Sequence, residues 1–236
     1  MAKINIEYGD VVQRDIPNKE LYRRTTSPPL LKPWLIPSEQ TSLYSMVACR
    51  TLVSPEAMYT LHRLSSQCLN LPGEFWECGV YLGGTAEFMA LMMANKSDVV
   101  PKTLRLFDTF EGMPETSQEH DVHRKGDFSN TNWDIIQQTF ARYPNVSLHK
   151  GFIPQTFHGL ESSKIAFLHC DVDIYQSIVD NLTFCYSRMV TGGIILFDDY
   201  GHETCPGARS AVDGFFADKP EEPFVLAGGQ AFVVKL

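Results

Sequence analysis

Beyond residue 73 the chain alternates short apolar runs with stretches of helical spacing. The runs at residues 75–80, 104–108, 146–150, 165–171 and 194–197 predict strands, and the stretches at 84–95, 133–143, 175–189 and 207–217 predict helices. Such alternation is the signature of βαβ units built on a parallel sheet. The tail departs from it: residues 224–227 and 230–236 flank Gly228-Gly229, a pair suited to the positive φ of a tight turn, and read as an antiparallel hairpin. The predicted fold is α/β, a doubly wound, mostly parallel sheet closed by a C-terminal antiparallel hairpin.

Ahead of the sheet, Ser54-Pro55-Glu56 marks a helix start: a capping hydroxyl, a proline whose missing N–H costs nothing there, and an acid at the positive helix end. Met58, Leu61, Leu64, Cys68 and Leu71 then recur at helical spacing. Residues 1–45, with prolines at 17, 28, 29, 33 and 37, lack periodicity. The expected organisation is an arm over residues 1–50 packed on a single domain spanning 51–236.

Composition narrows the function. A chain of 236 residues with 44% hydrophobic residues supports one core without disulfides. The balance of 28 acidic against 20 basic residues, net charge −8, argues against a nucleic-acid partner. No apolar run approaches the ~20 residues that span a bilayer, and the first ten residues lack the core of a secretion signal, so no membrane partner and a cytoplasmic location are expected. Six scattered cysteines contain no C-x-x-C and read as small core fillers.

The first strand leads into Glu77-Cys78-Gly79-Val80-Tyr81-Leu82-Gly83-Gly84, glycines where backbone must bend and approach a ligand. The spacing is not the G-x-G-x-x-G of dinucleotide sites, and Glu77 at the strand end would repel a diphosphate but suit an ammonium or sulfonium ligand such as S-adenosylmethionine. Asp108, closing the second strand, is placed for ribose hydroxyls.

Between Ile165 and Tyr200 stand five acids, Asp171, Asp173, Asp180, Asp198 and Asp199, against the single basic Arg188. If the two strands ending at Asp171 and Asp198 are neighbours, their ends lie about 4.7–4.9 Å apart and the carboxylates converge. Convergence without a cation would raise at least one pKa strongly, so a hard divalent ion is expected, and oxygen-only ligands favour Mg²⁺. Asp173 also stands where it could cap the helix starting near Tyr175, and His169 suits a core position behind the ligands better than ligation itself. The long loop at about 111–132, with His120, Asp121, His123, Arg124 and Lys125 at its tip, is a candidate lid.

F-W-E-C-G-V-Y-L-G-G-T, F-D-T-F-E-G-M-P, H-C-D-V-D-I-Y, G-G-I-I-L-F-D-D-Y and G-A-R-S-A-V-D-G-F-F together resemble the macrocin O-methyltransferase (TylF-type) family, over about residues 51–236. The resemblance implies a class I (Rossmann-like) fold and a Mg²⁺-dependent transfer of methyl from S-adenosylmethionine to sugar hydroxyls of natural products. It implies Asp171, Asp198 and Asp199 as metal ligands and Asp173 as the base. Thr51, Glu77, Gly79, Val80, Tyr81, Gly83, Asp108, Thr109, Phe110 and Gly112 are the implied cofactor contacts. A glycosylated or polyol small molecule is the expected acceptor, and a homo-oligomer, first of all a dimer, the expected assembly.

Methyl transfer from a sulfonium needs no acid, because the thioether leaves neutral; it needs an oxygen nucleophile in line at about 3–3.5 Å. A metal-chelated vicinal diol with Asp173 taking the proton would supply one. A catechol-type enzyme is the nearest rival, but where it carries a basic lysine, three residues after the first metal aspartate, this chain has Ile174. A nicotinamide dehydrogenase would need the absent glycine fingerprint, and a non-catalytic binding module has no use for four convergent aspartates.

Overall fold

The computed structural model describes residues 31–95 and 102–236; the first 30 residues of the predicted arm lie outside them. Within the arm's remainder stands a helix, α1 (Glu39–Val47), started by a reciprocal cap in which Thr41 N–H donates to Ser38 Oγ and Ser38 N–H to Thr41 Oγ1. Its buried positions are Gln40, Leu43 and Val47, and the polar Gln40 interrupts the apolar stripe that periodicity would have shown. Helix α2 (Pro55–Cys68) begins as expected, with Ser54 Oγ accepting from Ala57 N–H.

There follow β1 (Glu74–Cys78), α3 (Gly84–Ala94), β2 (Leu104–Asp108), α4 (Trp133–Phe140), β3 (Val146–Lys150), β4 (Ile165–Cys170), α5 (Tyr175–Cys185), β5 (Met189–Phe197), α6 (Pro206–Phe216), β6 (Phe224–Val225) and β7 (Ala231–Val234). The seven strands form one sheet in the order β3-β2-β1-β4-β5-β7-β6, parallel except at β7, which runs antiparallel to both β5 and β6. Every residue of β4 is buried, as expected of a central parallel strand covered on both faces. Side chains alternate between two cores: Phe75, Phe167 and Leu196 pack with α1–α4 on one face, Trp76, Leu168 and Phe197 with α5 and α6 on the other.

Strand β5 begins five residues earlier than expected. Gly192, at φ 82°, and Gly193 read as a break in sequence; in the structure they sit inside the strand, opposite a register irregularity in β4. All six cysteines are free, and five are buried, but Cys49 is exposed and is no core filler. No helix among the described residues is long and apolar enough to cross a membrane.

Candidate active site

The chain order reverses between β1 and β4, and at such a switch point the crevice outside the strand C-termini is the natural ligand site. A cavity of about 960 Å³ opens there. It is lined by the glycine turn after β1, the end of β2, the lid loop and the ends of β4 and β5, so both constellations read from sequence face one space.

Gly79 and Gly83 take the expected positive φ, Gly79 lines the cavity, and the glycines also admit close backbone contacts. Gly79 (φ 88°) abuts Asp171, whose carbonyl oxygen would lie 1.6 Å from a β-carbon. Gly84 gives way to the segment at Arg50, whose carbonyl would lie 2.5 Å from one. That close approach brings Thr51 into the cavity wall, with its Oγ1 accepting from Val53 N–H, while the Arg50 guanidinium pairs with buried Glu87 of α3. Arg142 and the Tyr143 hydroxyl also bond Glu87, so its buried charge is matched.

Asp108 lines the cavity and binds the turn: its Oδ2 accepts from Val80 N–H (2.7 Å) and Tyr81 N–H (2.9 Å), its Oδ1 from Phe110 N–H (2.6 Å). Thr109 Oγ1 stands 3.4 Å from Oδ1 as well, so the carboxylate holds the turn from both oxygens. Thr109 donates to Gly112 O at 2.7 Å, closing the next turn. Val80, Tyr81, Thr109 and Gly112 line the cavity; Phe110 is buried against Trp133, and Glu77 and Gly83 lie behind the wall.

Strands β4 and β5 are parallel neighbours, and one oxygen each of Asp171, Asp198 and Asp199 lies within 4.8 Å of the others. Burial, and then the neighbouring carboxylates, push Asp171 and Asp199 well above the usual carboxylate range. Burial would also raise Asp198, but the charge of His169 holds it low. His169 is fully buried; burial would depress it, yet Asp198 and Glu77 raise it well above an ordinary histidine. Crowded carboxylates whose pKa values burial and one another raise, offering oxygen donors alone, fit a small hard divalent ion.

Asp173 does not cap α5. It sits in the left-handed region at φ 58°, where its N–H donates to Asp199 Oδ2 at 2.9 Å, and Ile174 holds the cap position without a side-chain bond. Its Oδ1 lies 3.5 Å from Cys205 Sγ and 3.8 Å from His123 Nε2. The cap of α5 comes from the lid: Asp121 Oδ1 accepts from Tyr175 N–H at 2.9 Å, and His120 stacks on the Tyr175 ring with centroids 4.1 Å apart. His123 is oriented by Asp127, with Nδ1 3.1 Å from its Oδ2, and Phe128 packs edge-on to Tyr81.

Three residues of this site escaped the sequence reading as partners. Gln230, just after the hairpin glycines, donates to Asp198 Oδ1 at 2.7 Å; Cys205, at the edge of a core, also faces Asp173 and Asp199; Glu87 fixes Arg50. Only the placement of Gln230 beside a tight turn at the sheet's closing hairpin carried any signal.

Residues 44–223 match the family described as Macrocin-O-methyltransferase (TylF). Among curated proteins, the chain is 28% identical over 159 residues to demethyldecarbamoylnovobiocin O-methyltransferase of Streptomyces niveus, covering 63% of this chain and 60% of that protein. It is 29% identical over 156 residues to 8-demethyl-8-(2,3-dimethoxy-alpha-L-rhamnosyl)-tetracenomycin-C 4'-O-methyltransferase of Streptomyces olivaceus, covering 61% and 58%. The chain thus spans about 60% of the length of these two relatives. The solved structure of the O-methyltransferase NovP superposes with a TM-score of 0.66 at 24% identity, covering 78% of this chain and 83% of that one.

Proposed function

The chain belongs to the macrocin O-methyltransferase (TylF) family, and from that premise we propose that it transfers the methyl group of S-adenosylmethionine to a hydroxyl of a sugar or polyol acceptor, with Mg²⁺ held by Asp171, Asp198 and Asp199. The observation that carries the reading is the single cavity shared by the glycine turn and the three convergent aspartates. When bound, the donor supplies an electrophilic methyl on a neutral-leaving thioether, and the ion supplies positive charge that lowers the pKa of a nearby hydroxyl.

The chain's own residues divide the remaining work. Thr51, Val80, Tyr81 and Asp108 form the donor side, where the Asp108 carboxylate lines the cavity beside the turn it holds and suits ribose hydroxyls. Asp173 takes the acceptor proton: burial, partly offset by His123, raises its pKa toward the range useful to a base. Its left-handed backbone, held by Asp199, turns the carboxylate away from α5. Phe128 and Met113 from the lid line the cavity and exclude water from the reacting groups.

Ile174, buried at the position of the catechol-type lysine, supports an alcohol over a phenol. The name of the tetracenomycin relative, which carries a rhamnosyl group, supports a sugar acceptor as well. Incubation with methyl-labelled S-adenosylmethionine and a panel of glycosides and catechols tests the reading. Label is expected in glycosides, and label confined to catechols would overturn the acceptor class.

A further inference from the structure

Glu77 of β1 and His169 of β4 are register partners on adjacent parallel strands, and neither is exposed. His169 Nδ1 lies 2.8 Å from Glu77 Oε1, and on the far side of the same ring Nε2 lies 3.5 Å from Asp198 Oδ1. Asp198 Oδ1 also accepts from buried Gln230 at 2.7 Å, so the amide's hydrogen bond and the ion-pair contact of His169 Nε2, which makes no hydrogen bond of its own, meet on one oxygen. Glu77 Oε2 is buried without a hydrogen-bond partner, immediately before the glycine turn.

A carboxylate–imidazole–carboxylate chain inside an otherwise apolar strand face is a poor way to gain stability, since apolar side chains of that volume pack there without desolvating charge. What the chain does achieve is a connection from the root of the glycine turn to the aspartate cluster, across the switch point. A histidine that engages a ligand carboxylate from behind fixes which oxygen the ligand presents.

We propose that His169 is a positioning residue that ties Asp198 to Glu77, so that divalent-ion binding and donor binding are coupled. The proposal rests on the assignment of those two ligands to this cavity. With its second partner fixed, Asp198 presents Oδ2; drawing that carboxylate toward an ion shifts the ring, and Glu77 follows at the root of the glycine turn. Coupling of this kind is reciprocal: the ion tightens donor binding by the factor by which the donor tightens ion binding.

Calorimetry on the full chain with S-adenosylhomocysteine and with Mg²⁺, each titrated in the absence and presence of the other, measures that factor without turnover. The parent is expected to show mutual tightening of about 5–30-fold, within the usual range of coupled sites. His169→Asn places an amide nitrogen near Nδ1 and His169→Gln places one near Nε2, so each keeps one half of the link. The Asn variant is expected to keep metal-free S-adenosylhomocysteine affinity, the Gln variant to keep donor-free Mg²⁺ affinity, and both to lose the mutual tightening. A purely structural role would instead lower both affinities together in both variants, and that result overturns the proposal. Undiminished coupling in either variant overturns it too, as does a parent that binds both ligands independently. A parent that binds no S-adenosylhomocysteine overturns the donor assignment itself, a separate result.

Discussion

A β-carbon on Gly79 would stand 1.6 Å from the carbonyl oxygen of Asp171, so the ends of β1 and β4 meet with only hydrogen between them. This contact draws the aspartate cluster against the glycine turn. Gly79→Ala is expected to destabilise the fold by about 2–4 kcal/mol, combining left-handed strain with a backbone clash. Gly126→Ala has the same φ of 88° but open space around it, and strain alone should cost about 1–2 kcal/mol. Urea unfolding of the two variants separates the effects; equal losses would contradict the contact account.

Asp173→Asn keeps side-chain shape and tolerance of the left-handed region but removes the proton acceptor. Turnover at saturating acceptor should fall by about 10²–10⁴-fold, with S-adenosylhomocysteine and Mg²⁺ affinities retained. A turnover within about threefold of the parent would reject Asp173 as the base, on the same scale.

Lid docking depends on Asp121, which takes the first free N–H of α5 and, through Oδ2, Ser117 N–H at 2.9 Å. Asp121→Ala should cost about 1 kcal/mol in lost capping. Amide exchange across residues 113–128 should accelerate and KM for the acceptor should rise, while donor affinity stays. Unchanged exchange in the loop would show that the lid is held elsewhere.

At the C-terminus, Glu221 accepts from Lys235 Nζ (2.6 Å), Tyr186 Oη (2.7 Å) and Leu236 N–H (3.1 Å). Burial alone would raise its pKa, but these donors lower it from 4.5 to about 2. The folded state therefore holds the charged form more strongly than the unfolded chain does. The resulting stability, about 1–3 kcal/mol, is complete above pH 4.5 and lost as pH falls toward 2. Unfolding free energies of the parent and Glu221→Gln should differ at pH 7 and converge through that window. A constant difference from pH 7 to 2.5 would show that the carboxylate's charge is not what stabilises the hairpin.

The strands at 104–108 and 146–150 were legible to the residue because each follows a proline and polar residues, Pro101-Lys102-Thr103 and Pro144-Asn145, and closes on a charged one, Asp108 and Lys150. The first half of β5 was hidden by Gly192-Gly193, and α1 by Gln40 at a buried position. The aspartate cluster could be read because each acid closes a strand, and parallel strands end on one side of a sheet. Gln230 on Asp198, Asp121 on α5 and Glu87 on Arg50 could not, since each joins elements 32 to 54 residues apart through folding alone. Asp108 was read as an acid at a strand end, but its occupation by three backbone N–H groups depends on the positive φ of Tyr81 and Phe110, which residue type does not announce.

Methyl transfer that depends on the aspartate trio should stop when the metal is removed. Protein stripped with EDTA and dialysed into metal-free buffer is mixed with S-adenosylmethionine and a glycoside acceptor, and S-adenosylhomocysteine is quantified by mass spectrometry before and after Mg²⁺ is added. That dependence predicts no product above background until Mg²⁺ is restored, and none after restoration in Asp198→Asn. Full product formation in the metal-free protein would contradict it.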